Sequence, residues 1–192
     1  MEKSKQETAG WQTYKNEEYG FEIKYPQNLK SDSEFKLFYM LGGQWRVNAL
    51  GEKKGKSIVA IPIFRIDQNY EPPRKKSYPI YFDAEVRVGV SSDPNEMASC
   101  LEPDCPGCDG NTEENISGIT FKKFPSGSAG MMQYNEVNSY RAIHNNLCFA
   151  IEQVKTGSDY RDDNMEEGIP QTELDNYYKK GTDIIKTFSF TK

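Results

Sequence analysis

The sequence predicts an α+β fold, a mostly antiparallel sheet flanked by a few helices. Three observations carry that expectation. Most apolar residues recur with a period of two in short runs, and turn residues rather than helical stretches separate those runs. One segment near the C-terminus repeats at three and four residues instead. Period-two runs have one face to bury, and the economical solution lays the few helices against the sheet.

The elements follow in chain order. Residues 1–10 (MEKSKQETAG) are polar and read as a tether, and residues 11–192 read as one domain. In 19–25 (YGFEIKY), Tyr19, Phe21, Ile23 and Tyr25 alternate with Gly20, Glu22 and Lys24 as in a half-buried strand, and Pro26 ends it. Residues 35–41 and 45–50 read as two strands around a Gly42-Gly43 turn. Residues 57–67 (SIVAIPIFRID) are β-branched, but Pro62 removes a ladder donor, so this strand is expected at an edge or at a bulge. A Pro-rich loop with a basic cluster spans 67–79, and 80–90 is a strong strand.

Asp93-Pro94-Asn95-Glu96 opens a short helix ending near Cys100: Asp93 caps it, Pro94 suits the first turn and Glu96 sits at capping-box spacing. Strands are expected over 116–124, 132–144 and 147–156, with Asn145-Asn146 as a two-residue hairpin turn. Across 171–187, Leu174, Tyr177, Tyr178, Gly181, Ile184 and Ile185, continued by Phe188, recur at three and four as one apolar stripe of a helix, and Phe188 and Phe190 then alternate in a closing strand. The hydrophilic remainder is assigned to loops and the tail.

Composition bounds the function. A chain of 192 residues can bury about 70% of its unfolded surface. Apolar residues are only 36% of it and mean hydropathy is −0.80, yet 10 Phe, 12 Tyr and 2 Trp supply a core. Twenty-four Lys and Arg stand against 29 Asp and Glu, and this acidic balance argues against a general nucleic-acid binder. No run of 18 apolar residues occurs, so no transmembrane helix is expected. The polar start fits either a cytoplasmic protein or one whose export signal has been replaced by Met1. Four cysteines in such a chain favour an oxidising compartment, and the expected location is extracytoplasmic, periplasmic or at the cell surface.

Few residue groups can carry chemistry. Cys100, Cys105 and Cys108 are spaced C-x4-C-x2-C, with Cys148 distant. Four thiolates on zinc would need a second close pair, and a redox pair would follow a strand and open a helix. Two disulfides, Cys100–Cys148 and Cys105–Cys108, are the favoured reading among the three connectivities. In the acidic stretch, Asp162, Asn164, Glu166 and Glu173 echo a calcium loop, although Glu167 stands where that loop demands glycine. Otherwise the acids simply sit near a helix N-terminus.

His144, the single histidine, lies at a strand end and reads as a satisfied turn residue rather than a catalytic base. No catalytic residues are assigned. Arg74-Lys75-Lys76 reads as solvated, and Tyr70, Tyr78, Tyr81, Tyr134, Tyr140, Tyr160, Tyr177 and Tyr178 fit a binding face, with half-buried sheet positions explaining most of them equally well.

The opening Trp11-x-x-Tyr14, the run 16–26 (NEEYGFEIKYP) and the closing Ile184-Ile185-x-Thr187-Phe188-x-Phe190 resemble PsbP-like domains. With Phe121-Lys122-Lys123-Phe124 and Cys148-Phe149-x-Ile151-Glu152, the chain is similar to small exported bacterial proteins of uncharacterised function, often lipoproteins. The resemblance implies an α/β/α sandwich around an antiparallel sheet, a binding or assembly role without catalysis, and no catalytic residues to carry over.

The combined expectation is a non-enzymatic extracytoplasmic binding or accessory domain, held by its N-terminus or by a lipid anchor of its precursor. Its partner would be a protein or a component of the cell envelope, with no nucleic acid and no cofactor. The alternative is an exported metal-binding protein using the 159–173 loop for calcium or the 100–108 loop for zinc.

Overall fold

A computed structural model describes residues 8–35, 44–46, 54–66, 79, 81–104, 111–158 and 169–192. Among these, nine strands and two helices alternate as β1 (Trp11–Asn16), β2 (Phe21–Pro26), β3 (Lys56–Ile66), β4 (Phe82–Ser91), α1 (Pro94–Ala98), β5 (Thr112–Ile116), β6 (Ile119–Gly130), β7 (Gln133–His144), β8 (Leu147–Ser158), α2 (Gln171–Ile185) and β9 (Ser189–Phe190). Every strand pair is antiparallel. The strands form a six-stranded sheet, β3-β4-β8-β7-β6-β5, and a three-stranded one, β1-β2-β9. The predicted α+β class, a mostly antiparallel sheet with few helices, is the fold observed.

Tight turns set the topology. β5–β6, β6–β7 and β7–β8 are joined by the pairs Ser117-Gly118, Met131-Met132 and Asn145-Asn146, all with positive φ. Turns of that hand match the twist of the strands they join. The Asn145-Asn146 turn is as expected. The single strand expected over 116–124 is instead a hairpin, because Gly118 takes φ +87 and reverses the chain between Ile116 and Ile119.

β3 is the edge strand that Pro62 predicted, and its register with β4 also shifts between Pro62 and Phe64. Asp32 bridges Ala60 from outside, with two backbone bonds of 2.8 Å. The strand pair expected over 35–41 and 45–50 lies mostly outside the described residues, and Gln44, Trp45 and Arg46 run through a bend. Of the 67–79 loop, Pro79 alone is described.

One face of the large sheet is apolar. Val59 and Ile61 of β3, Val86 and Val88 of β4, Phe149 and Ile151 of β8, Tyr140 of β7 and Phe121 of β6 pack under Phe21, Ile23, Ile184, Ile185 and Phe188. Phe188 stacks on Phe21 at 5.3 Å between ring centres and meets Phe121 edge-on at 5.8 Å. Each such side chain, fully buried, stabilises by about 1.5–3 kcal/mol. Helix α2 lays Leu174, Gly181, Ile184 and Ile185 on this face. Gly181 belongs to that stripe for a steric reason: a Cβ there would stand 3.0 Å from Gln153 Cγ and 3.3 Å from Val86.

The other face is closed by Phe35, Trp45, Arg46, α1 and residues 99–104, so helices flank the sheet on both sides. The backbone of Trp45 lies directly on β4, where Gly89 leaves room; a Cβ on Gly89 would meet the Trp45 carbonyl oxygen at 2.0 Å. Asp93 caps α1 as predicted, accepting from the N–H groups of Asn95 (2.9 Å) and Glu96 (3.4 Å). The capping box is only half made. Glu96 turns to Arg46 at 3.2 Å, and the Asp93 N–H donates to the Ser91 hydroxyl instead.

Candidate functional site

The alternation of β4 explains the covered face. Phe82, Ala84, Val86, Val88 and Val90 point to the apolar side, which sends Asp83, Glu85, Arg87, Gly89 and Ser91 to the other. The hydrophilic remainder of the chain is expected in loops and the tail. The structure overturns that: β4 and β8 are buried on both faces. Asp83, Glu85, Arg87, Ser139, Arg141 and Glu152 are each no more than 2% exposed. Register lines them up, since Arg87 is paired with Glu152 and Glu152 with Ser139 across β4, β8 and β7.

Eight of the charges fall into two balanced quartets, and Glu152, buried on β8 between them, adds a ninth whose charge acts on Arg141. In the first, Arg65 Nε bonds Asp83 Oδ2, Arg65 Nη2 lies 3.6 Å from Glu85, and Arg87 Nε bonds Glu85 Oε1. The Arg87 guanidinium lies over the Phe35 ring at 4.9 Å. In the second, Arg46 reaches Glu96 at 3.2 Å and Asp104 at 3.0 Å. Arg141 shares Asp104, donates to the Glu102 carbonyl at 2.9 Å and the Ser139 hydroxyl at 3.1 Å, and lies over Phe124 at 4.3 Å. The first quartet lies largely within the sheet, whereas the second ties the cover to it.

Burial perturbs these groups. Desolvation, reinforced by Glu85, pushes the Asp83 carboxyl up to about 7 against the pull of Arg65 and Arg87. Desolvation lowers the Arg141 guanidinium, opposed by Asp104. A carboxyl titrating near neutrality suits proton transfer, but this one is 1% exposed with Oδ2 held by Arg65.

The predicted site residues are placed as follows. Cys100 and Cys148 are joined in a disulfide with a Cα–Cα distance of 5.8 Å, stapling the segment after α1 to β8. Cys105 and Cys108 lie outside the described residues, as do Asp162, Asn164, Glu166 and the basic cluster at 74–76. Glu173 sits in the first turn of α2. Among the described residues, no three His, Cys, Asp or Glu side chains are grouped to hold a metal ion.

His144 stacks on Phe190 at 3.8 Å, and its Nε2 lies 2.7 Å from the Lys192 carbonyl oxygen. Cys148 is on the neighbouring strand, paired with Ile143. The tyrosines serve the core and its margin: Tyr177 stacks on Phe64 at 3.9 Å, and the Tyr178 hydroxyl bonds Asn138 at 2.7 Å. Burial raises Tyr140 to about 12. Tyr70, Tyr78 and Tyr160 lie outside the described residues.

One open groove, about 530 Å³, lies at the end of the sheet between the β1–β2 turn and the starts of β3 and β8. Tyr19, Lys54, Lys56, Asp93 and Leu147 line it, with Lys56 Nζ 5.7 Å from the centre of the Tyr19 ring and Lys54 paired to Asp93 at 3.7 Å.

Sequence reasoning missed the charged face altogether. A signal was present in Asp83-x-Glu85-x-Arg87, a mixed-sign row on a strand whose other row is wholly apolar.

No protein-family model matches the chain, and no curated protein matches it. Among solved structures it is similar to cyanobacterial PsbP (CyanoP) from Synechocystis sp. PCC 6803, solved in solution, with a TM-score of 0.43 and 8% identity, covering 95% of this chain and 93% of that one.

Proposed function

We propose that this protein is a non-enzymatic binding or accessory domain of an oxidising, extracytoplasmic compartment, held near its site of action through its N-terminal tail. The observation that carries the reading is the use of the polar side chains on the covered face. Arg46, Arg65, Arg87 and Arg141 are engaged with Asp83, Glu85, Glu96 and Asp104 beneath the cover. Arg46 and Arg141 with Glu96 and Asp104 hold the cover in place, while Arg65 and Arg87 are spent on Asp83 and Glu85 within the sheet; groups so committed are not presented to a substrate. The buried Cys100–Cys148 bond supports the compartment, since such bonds persist where thiols are not kept reduced. A partner would then meet the outer surface, at strand edges, turns or the groove beside Tyr19.

Cell fractionation with rapid thiol alkylation tests the reading. The protein is expected in the envelope or secreted fraction with Cys100 and Cys148 protected from alkylation before reduction. A cytosolic pool with both thiols reactive would refute it.

A further inference from the structure

We propose that Asn115, at the β5–β6 turn, is an acceptor for N-linked glycosylation, a site that rests on the extracytoplasmic reading above. Asn115-Ile116-Ser117 is an Asn-x-Ser triplet with no proline in the middle, and no other Asn-x-Ser or Asn-x-Thr occurs in the 192 residues. Glu113 stands two residues before the asparagine, the acidic position that bacterial forms of the transferring enzyme also require.

The fold presents the triplet outward. Ile116 ends β5, is 1% exposed and pairs with Ile119, so it anchors the turn to the core. Asn115 and Ser117, on either side of it, are both exposed. The turn lies at the opposite end of β5 from Thr112. Gly118 completes it with φ +87, and a Cβ built there would meet nothing within 4 Å. Open space beside the turn is what a bulky sugar chain requires.

The two side chains that the modification uses are uncommitted. Asn115 Oδ1 accepts from the Gly118 N–H at 3.0 Å, which fixes the amide and leaves Nδ2, the atom that carries the sugar, on its other side. Among the described residues, neither Nδ2 nor the Ser117 hydroxyl makes a hydrogen bond. Ser117 takes left-handed φ, +51, at the first turn position. Asparagine, aspartate or glycine suits that position better, and the β7–β8 turn has Asn145 there. A serine that bonds nothing adds no turn chemistry; its hydroxyl is the group that the acceptor triplet demands in third place.

The co-substrate is an oligosaccharide carried on a polyprenyl diphosphate. Asn115 Nδ2 forms a bond to C1 of the first sugar as the bond from C1 to the diphosphate oxygen breaks. Polyprenyl diphosphate leaves with that electron pair, and the proton lost from Nδ2 passes to a carboxylate of the transferase. One N–H and Oδ1 remain on the substituted amide, so the bond from Gly118 survives. Donor and transferase work on the extracytoplasmic side of the membrane, which ties the site to the compartment.

Peptide mapping by mass, on the chain isolated from its own cells after fractionation and thiol alkylation, tests the proposal. In the envelope or secreted fraction, the peptide holding Asn115 is expected to carry the added mass of one oligosaccharide. Asn115→Gln and Ser117→Ala should each abolish that increment, and Ser117→Thr should keep it. Protected Cys100 and Cys148 with an unmodified Asn115 overturn the site and leave the compartment reading intact. Reactive thiols in a cytosolic, unmodified pool overturn both. An increment that survives Asn115→Gln also overturns the site. Mapping the wild type needs no variant, so a misfolded variant leaves the test standing.

Discussion

The two faces of the six-stranded sheet are built from the same strands and, along β4 and β8, both are buried, by opposite chemistry. Under α2 and the small sheet, aromatic and β-branched side chains interdigitate around Phe188. Under α1 and the disulfide, arginines and carboxylates do so around Arg87 and Arg141. Burying apolar area is favourable wherever it occurs and tolerates some misplacement. A buried ion has to find its partner or it costs several kcal/mol, and the pair as a whole returns little net stability. The difference teaches a division of labour: the apolar face holds the fold together, and the charged face determines where the cover sits.

The largest effect should come from the apolar side. Phe188→Ala removes a ring with 0% exposure that touches Phe21, Phe121, Phe149 and Phe190. It should lower the unfolding free energy in urea by about 3–5 kcal/mol. A loss below about 1 kcal/mol would break the comparison at its first term. Next comes the staple of the charged side. The Cys100–Cys148 bond closes a span with a sequence separation of 48, and the Cys100→Ser/Cys148→Ser variant should lose on the order of 3–4 kcal/mol in the same assay.

The legible and illegible parts of the fold divide along the same line. Alternation in 19–25, the stripe of α2, the Asp93 cap, the Asn145-Asn146 turn and the edge role of β3 follow from local rules, and all are in the structure. The Cys100–Cys148 pair was reachable from spacing and element order. Burial of Asp83, Glu85 and Arg87 was not, because period two states which residues share a face and is silent on what covers it. The cover comes from Phe35, Trp45 and residues 94–104, distant in sequence and largely without periodicity. The Ser117-Gly118 turn was missed because Ile116, Ile119 and Phe121 read as one continuous apolar run. Of the candidate calcium residues, Glu173 alone is described, and of the 100–108 cysteines Cys100 alone, joined to Cys148.

The faces also differ in their response to pH. Asp83 is raised from 3.8 to about 7 by burial and by Glu85, so the folded chain keeps a proton that the unfolded chain releases. That group's contribution is full below about 4 and is lost as pH rises to about 7, with a slope of at most about 1.4 kcal/mol per pH unit. Urea titrations at intervals between these limits should show wild-type stability falling relative to Asp83→Asn. A difference that stays constant, or grows with pH, would mean that Arg65 and Arg87 dominate the site.

The smallest change is expected where both members of a buried pair are replaced, and it tests the central claim most directly. Arg65→Met alone leaves Asp83 and Glu85 facing only Arg87, and at pH 8 it should cost about 3 kcal/mol. Arg65→Met combined with Asp83→Leu leaves the balanced pair Glu85–Arg87 and should fall within about 1 kcal/mol of the wild type in urea unfolding. A double variant that loses as much as the single one would show that the ion pairs themselves hold the fold, and the division between the two faces would be wrong.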